Sequence, residues 1–199
     1  PVPRSVRHLA DSMIVNDEPE HRRLRDLVQK AFTTSAIAGL EPDLRAHAHA
    51  LLDAALARRR VEFQSAYAQP IPMRAISAML GIDDSDGPRF RDGMSALSEG
   101  LSGPRMVKTL AWDLPRLSRF VRELIARKRS TPGEDMLTAL IHAEATGDRL
   151  SEDELVSLVF LLIVGGFETT VHLISNLLVT LLAHPDLLAR LRAEPALLD

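Results

Sequence analysis

The strongest constraint in this chain is one long helix. Ser151-Glu152-Asp153-Glu154 matches a capping box, in which the Ser151 and Glu154 side chains each satisfy a free backbone donor of the other residue. From there no proline intervenes until Pro185, so the helix runs for about 30 residues, to about His184. At 1.5 Å per residue that is about 45 Å. A compact domain of 199 residues has a radius of gyration near 16 Å, or about 42 Å across. Such a helix crosses the whole body. It is apolar on nearly every face, which predicts a central, buried helix around which the remaining elements are arranged.

The rest of the composition agrees with helix. Aromatic residues make up 4% of the chain, with a single Trp and a single Tyr. Strand-rich proteins draw on aromatic and β-branched side chains, whereas Ala, Leu, Arg and Glu favour helix. The expected fold class is therefore all-α. An apolar content of 46% excludes a disordered chain. Lys and Arg total 24 against 27 acidic residues, a net charge of -3, which argues against a nucleic-acid binder held by a basic face. With no Cys, these residues form no disulfide, thiolate metal site or cysteine nucleophile. The chain opens at Pro1 without the pattern of a signal peptide. Its most apolar stretch, Leu158 to Val164, soon meets Glu168, His172 and Asn176, so no membrane span is expected.

Shorter helices surround the long one. Asp17-Glu18-Pro19-Glu20 reads as a helix start, with Asp17 or Glu18 as cap, and Leu24, Leu27, Val28 and Ala31 continue it to about Phe32. A second helix begins near Glu41-Pro42. Pro70 and Pro72 precede a short helix ending at Gly81. Gly87 to Pro104 holds a modest helix, and Met106 to Lys128 a longer one interrupted at Pro115. Asp135 to Ala145 is expected to be helical, closed by Gly147, and Asp186 to Ala193 forms the last helix.

Two constellations stand out as chemistry. The long helix contains Gly165-Gly166-Phe167-Glu168-Thr169-Thr170 at its centre. Each mid-helix Gly costs about 1 kcal/mol relative to Ala, and a carboxylate in apolar surroundings costs more unless it is paired or protonated. Glycines allow close approach of a flat ligand, and an acid beside a hydroxyl can relay protons. A helix crossing at the glycines, with Glu168 paired to an Arg, explains the same residues without a ligand. The second constellation is His21 and Arg25, four apart on one helix face, with Arg22 and Arg23 between them. Together they can grip a dianion, or they form a solvated basic face. The remaining histidines show no metal-ligand spacing, and no metal-binding residue is assigned.

In this order and at this interval the two constellations resemble cytochrome P-450 of the soluble bacterial type. Asp17 to Arg25 resembles the start of the family's C helix, commonly Asp-Pro-Pro-Glu-His-x-x-x-Arg. Gly165 to Thr170 resembles the I-helix motif Ala/Gly-Gly-x-Asp/Glu-Thr-Thr/Ser, and Leu182-Ala183-His184-Pro185-Asp186 the I-to-J junction. The resemblance covers essentially the whole chain. Glu18 replaces the usual first Pro, and Phe167 fills a position that is often polar.

The resemblance implies that residues 1–199 are a single partial domain of the P-450 helical core, from the C helix to the J helix. The N-terminal sheet region, the K-helix Glu-x-x-Arg and the C-terminal haem-thiolate region are absent from it. Glu20-His21-Arg22-Arg23 fits Glu-x-x-Arg by accident, on the wrong helix. It further implies a monooxygenase that inserts one atom of dioxygen into a small apolar organic substrate. Haem b would be its cofactor, with propionates held by His21 and Arg25 and a thiolate ligand outside this sequence. Gly165 and Gly166 would let the long helix pass close over the haem, Thr169 would hydrogen-bond the oxygen being activated, and Glu168 would help deliver protons. Substrate contacts would come from Leu161 and Val164 and from Met94 and Leu97. Arg22, Arg23 and Lys30 would attract an acidic ferredoxin. A cytoplasmic location, with no membrane or nucleic-acid partner, goes with this reading. The chain alone is expected to be inactive for want of its Cys ligand, and to expose apolar surface. The competing reading is a haem-free P-450-like scaffold or partner-activating protein. An all-α ligand-binding regulator is a further class, but Pro1 to Asp17 does not read as a DNA-reading head.

Overall fold

The computed structural model describes residues 13–100, 105–142, 144–145 and 148–198. Helix α1 (Glu20–Ala31) buries Leu24, Leu27 and Ala31, the three- and four-residue steps of a single apolar stripe. Pro19 precedes it as N-cap without a side-chain cap bond, so neither Asp17 nor Glu18 makes the cap expected of it. A five-residue helix that the sequence reading lacks, α2 (Thr34–Ala38), starts where the Thr33 hydroxyl accepts the Ala36 N–H. Helix α3 (Glu41–Leu56) follows, with Pro42 in its first turn, where a missing N–H is harmless.

A π-helical turn, Gln64–Ala68, leads directly into α4 (Pro70–Leu80). Pro70 and Pro72 thus start this helix, and Gly81 ends it in the left-handed region at φ 60°. Helix α5 (Gly87–Gly100) and the short α6 (Arg105–Lys108) come next. A second π-helical turn, Thr109–Asp113, joins α6 to α7 (Leu114–Ser130). The interruption expected at Pro115 is this turn, with Pro115 in the first turn of α7.

Helix α8 (Met136–His142) is shorter than expected. The chain beyond it forms a two-residue antiparallel ladder, β1 (Glu144–Ala145) with β2 (Asp148–Arg149), instead of continuing as helix. Among the described residues this ladder is the whole of the strand content, and the fold class is all-α as expected.

Helix α9 (Glu152–Ala183) has 32 residues, about 48 Å. Both halves of its capping box are made: the Ser151 hydroxyl accepts the Glu154 N–H at 3.2 Å, and Glu154 accepts the Ser151 N–H at 2.6 Å. Helix α10 (Pro185–Ala193) follows after His184. The first π turn, α4, α7 and α8 pack around the first half of α9, burying Leu155 to Phe160 on all sides. From Ile163 onward only one face is buried, by Ile163, Phe167 and Val171. Burial is therefore confined to part of the helix. Toward its C-terminal end Leu173 and Val179 are 68% and 65% exposed. By length and composition alone α9 is apolar enough to cross a membrane, a test that the core helix of a globular domain also passes; Glu168, His172 and Asn176 are the polar residues that the sequence reading weighed against a span.

Candidate functional site

Glu154, Leu158, Leu161, Gly165, Thr169 and His172 follow one another at steps of three or four, so they occupy one face of α9. Helix α1 covers the beginning of that face. Met13, Leu24 and Val28 close on Leu150, Glu154, Ser157 and Leu158 around a gap of about 10 Å³. Arg23 reaches across to Glu154 with an ion pair and also bonds Glu20 at 2.7 Å. Arg122 ties α7 to the same end through Glu152 (2.8 Å) and Asp153 (2.6 Å), and these carboxylates hold its guanidinium above the ordinary arginine value. The first turn of α9 is thus anchored by charge, and the helix is fixed relative to α1.

Beyond Leu158 the same face opens. Leu161 is half-buried, whereas Val164, Gly165 and Thr169 are exposed. The two glycines differ. A Cβ placed on Gly165 would meet nothing within 4 Å, so its side of the helix is bare backbone. A Cβ on Gly166 would lie 3.5 Å from Ile76 Cδ1, so this glycine sits at the crossing with α4. The sequence left a ligand approach and a helix crossing as alternatives for the pair; the structure places Gly166 at a crossing and Gly165 against open space.

Glu168 is half-buried, and among the described residues it has neither a hydrogen bond nor an ion pair. No Arg among the described residues pairs with it. Thr169 donates its hydroxyl hydrogen to the Gly165 carbonyl, one turn back. Its oxygen lone pairs therefore remain to accept a further bond. The half-buried carboxyl of Glu168 precedes in sequence the exposed hydroxyl of Thr169.

His21 and Arg25 lie on the flank of α1, beside its buried stripe. His21 is half-buried and donates Nδ1–H to the Met13 carbonyl at 2.8 Å. Arg25 is exposed and has no acidic partner among the described residues.

Other expected residues are placed differently. Met94 is 1% exposed and packs in the hydrophobic core, which leaves it no surface for a substrate. The side chain of Leu97 lies outside the described residues. Arg23 is engaged by Glu20 and Glu154, and so is a poor docking residue, while Arg22 pairs with Glu18 at 3.4 Å on the surface. Phe167 does not face the open stripe. It lines a cleft of about 1050 Å³ on the opposite side of α9, with Met73, Ser77, Arg91 and Lys128. Neither this cleft nor the Arg23–Glu154 tie has a local sequence signal, since both join distant segments.

Fold and motif together define a class: a helical body built on one long central helix, with a Gly-Thr stripe open on one side. Comparison with known proteins specifies it. The family model for Cytochrome P450 matches residues 114–196. Cytochrome P450 107B1 of Saccharopolyspora erythraea is 42% identical over 190 residues, 96% of this chain and 46% of that protein. The solved structure of the Bacillus subtilis bacillaene polyketide synthase cytochrome P450 PksS superposes with a TM-score of 0.89 at 32% identity, over 97% of this chain and 49% of that one. The mixed-function P450 MycG gives a TM-score of 0.83 at 32% identity, over 94% of this chain and 47% of its own. The chain belongs to the cytochrome P450 family, and it spans about half the length of these relatives.

Proposed function

We propose that these residues form a single partial domain supplying the distal half of a haem-thiolate monooxygenase active site. The observation that carries this reading is the open stripe at Gly165 and Thr169, with Glu168 unpaired beside it and the His21–Arg25 flank free of acidic partners among the described residues. The residues fit haem. A basic pair on one helix suits two propionates, and bare helix backbone suits a flat macrocycle. When bound, that group supplies dioxygen activation through its iron, with a thiolate ligand that must come from outside these Cys-free residues.

The chain's own contributions follow from position. His21 and Arg25 bind carboxylates and fix orientation. Gly165 keeps the helix backbone close to the ligand face. Thr169 accepts a hydrogen bond at its hydroxyl oxygen, and Glu168 passes protons toward it from solvent. Leu161 and Val164 present apolar surface to a small organic substrate. An external electron donor of the ferredoxin type and a cytoplasmic location complete the proposal. The four site residues Glu168, Thr169, His21 and Arg25 together favour this reading over a haem-free scaffold, which needs none of them.

A visible spectrum of the whole haem-loaded polypeptide, reduced and treated with carbon monoxide, tests the proposal. A red-shifted thiolate-type Soret band is expected. Purified whole polypeptide that takes up no haem would overturn it in favour of the scaffold reading.

A further inference from the structure

Far along the chain from the stripe on α9, the entry into α7 carries a surface of a different kind. Trp112, the single Trp of the chain, is 58% exposed, and Met106 and Val107 are 44% and 70% exposed. The Arg116 guanidinium lies 5.1 Å over the Trp112 ring. Arg119 is exposed three residues further on, so Trp112, Arg116 and Arg119 share one helix face. Neither arginine has an acidic partner among the described residues. Lys108 joins them and pairs with Asp113 at 3.6 Å.

Among the described side chains, three cations against one carboxylate leave this patch positive on a chain whose net charge is -3. Large apolar side chains ringed by unpaired arginines match the composition of protein interface centres, where Trp and Arg dominate the binding energy. A bilayer suits the patch less well. The apolar face of α7, with Leu117, Val121 and Leu124, is buried in the core, which leaves three apolar side chains to immerse among the described residues and no continuous apolar face among them. A nucleic acid suits it less too, because neutralising several phosphates needs a longer basic track.

We infer that Met106, Val107, Trp112, Arg116 and Arg119 form a docking surface for an acidic protein partner, one that offers carboxylates to the arginines around an apolar seat for Trp112.

The test uses the full chain and poly-L-glutamate as the acidic probe, read by the emission of Trp112. Poly-L-glutamate is expected to shift the emission to shorter wavelength. R116Q/R119Q is expected to raise the half-saturating concentration about tenfold, with unchanged helical circular dichroism. R58Q/R60Q, which removes exposed cations at the end of α3, is the control and is expected to change nothing. No emission shift, an unchanged half-saturating concentration in R116Q/R119Q, or binding lost only in R58Q/R60Q would each overturn the inference. A shift produced by phosphatidylglycerol vesicles but not by the polypeptide would assign the surface to a membrane instead, and would overturn it too.

Discussion

Replacing Gly165 by Leu separates the two glycines of α9. A Cβ at Gly165 has nothing within 4 Å, so a larger side chain meets no packing cost in the chain itself. Removing a mid-helix Gly contributes about 0.8 kcal/mol of helix propensity. With a denaturant slope of about 1–3 kcal/mol/M in urea, the unfolding midpoint should rise by roughly 0.3–0.8 M. Gly166 behaves oppositely. Its Cβ would already touch Ile76 at 3.5 Å, so the further atoms of Leu overpack the crossing with α4 and cost about 1–3 kcal/mol. The assay is urea unfolding followed by circular dichroism on both variants. The same Gly165→Leu substitution fills the ligand face, so haemin affinity should fall at least tenfold while stability rises. A Gly165→Leu variant that loses stability as Gly166→Leu does would refute the assignment of an open side to Gly165. So would one that binds haemin as tightly as the parent.

Other outcomes follow from the packing. Ser151→Ala removes the hydroxyl half of the capping box and should cost about 1 kcal/mol, seen as a lower thermal midpoint. Ser157→Ala should be neutral or stabilising in the same assay, because the Ser157 hydroxyl is buried without a partner. Ile163→Ala empties a fully buried site on the packed face of α9 and should cost about 2–5 kcal/mol. Arg74 bonds both Asp43 oxygens at 2.8 Å, and this holds the Asp43 carboxyl below its ordinary value. The stability it brings is fully present above the usual aspartate range, near pH 4, and is lost as pH falls through the depressed value. The pair is half-exposed, so Asp43→Asn should cost no more than about 1 kcal/mol at neutral pH. That difference should vanish in strong acid when unfolding is measured against pH.

The long helix was legible in the sequence because its signals are local. Ser151 and Glu154 start it, Pro185 ends it, and the glycines and the Glu-Thr pair mark its centre. The same holds for the Gly81 stop, whereas Pro70 and Pro72, read as preceding α4, lie in its first turn. Elsewhere tertiary contacts decided. The segment after His142 abandons the helix for a short ladder, and Thr33 caps a helix too short to show periodicity. Burial misled most. Met94 carried no local mark distinguishing a core residue from a pocket residue, and the apolar run past Val171 reads as core although the described elements leave it exposed. The motif located the stripe, but only the packing of Ile76 showed which glycine faces it.

The central claim is that the flank of α1 and the open face of α9 hold haem. It is tested most directly by titrating haemin into the parent chain and into His21→Ala/Arg25→Ala, following the Soret band. Each charge-assisted hydrogen bond to a carboxylate contributes about 1.5–3 kcal/mol, so the double variant should bind roughly a hundredfold more weakly or worse while keeping its helical content. Equal affinity in the two proteins would contradict the account.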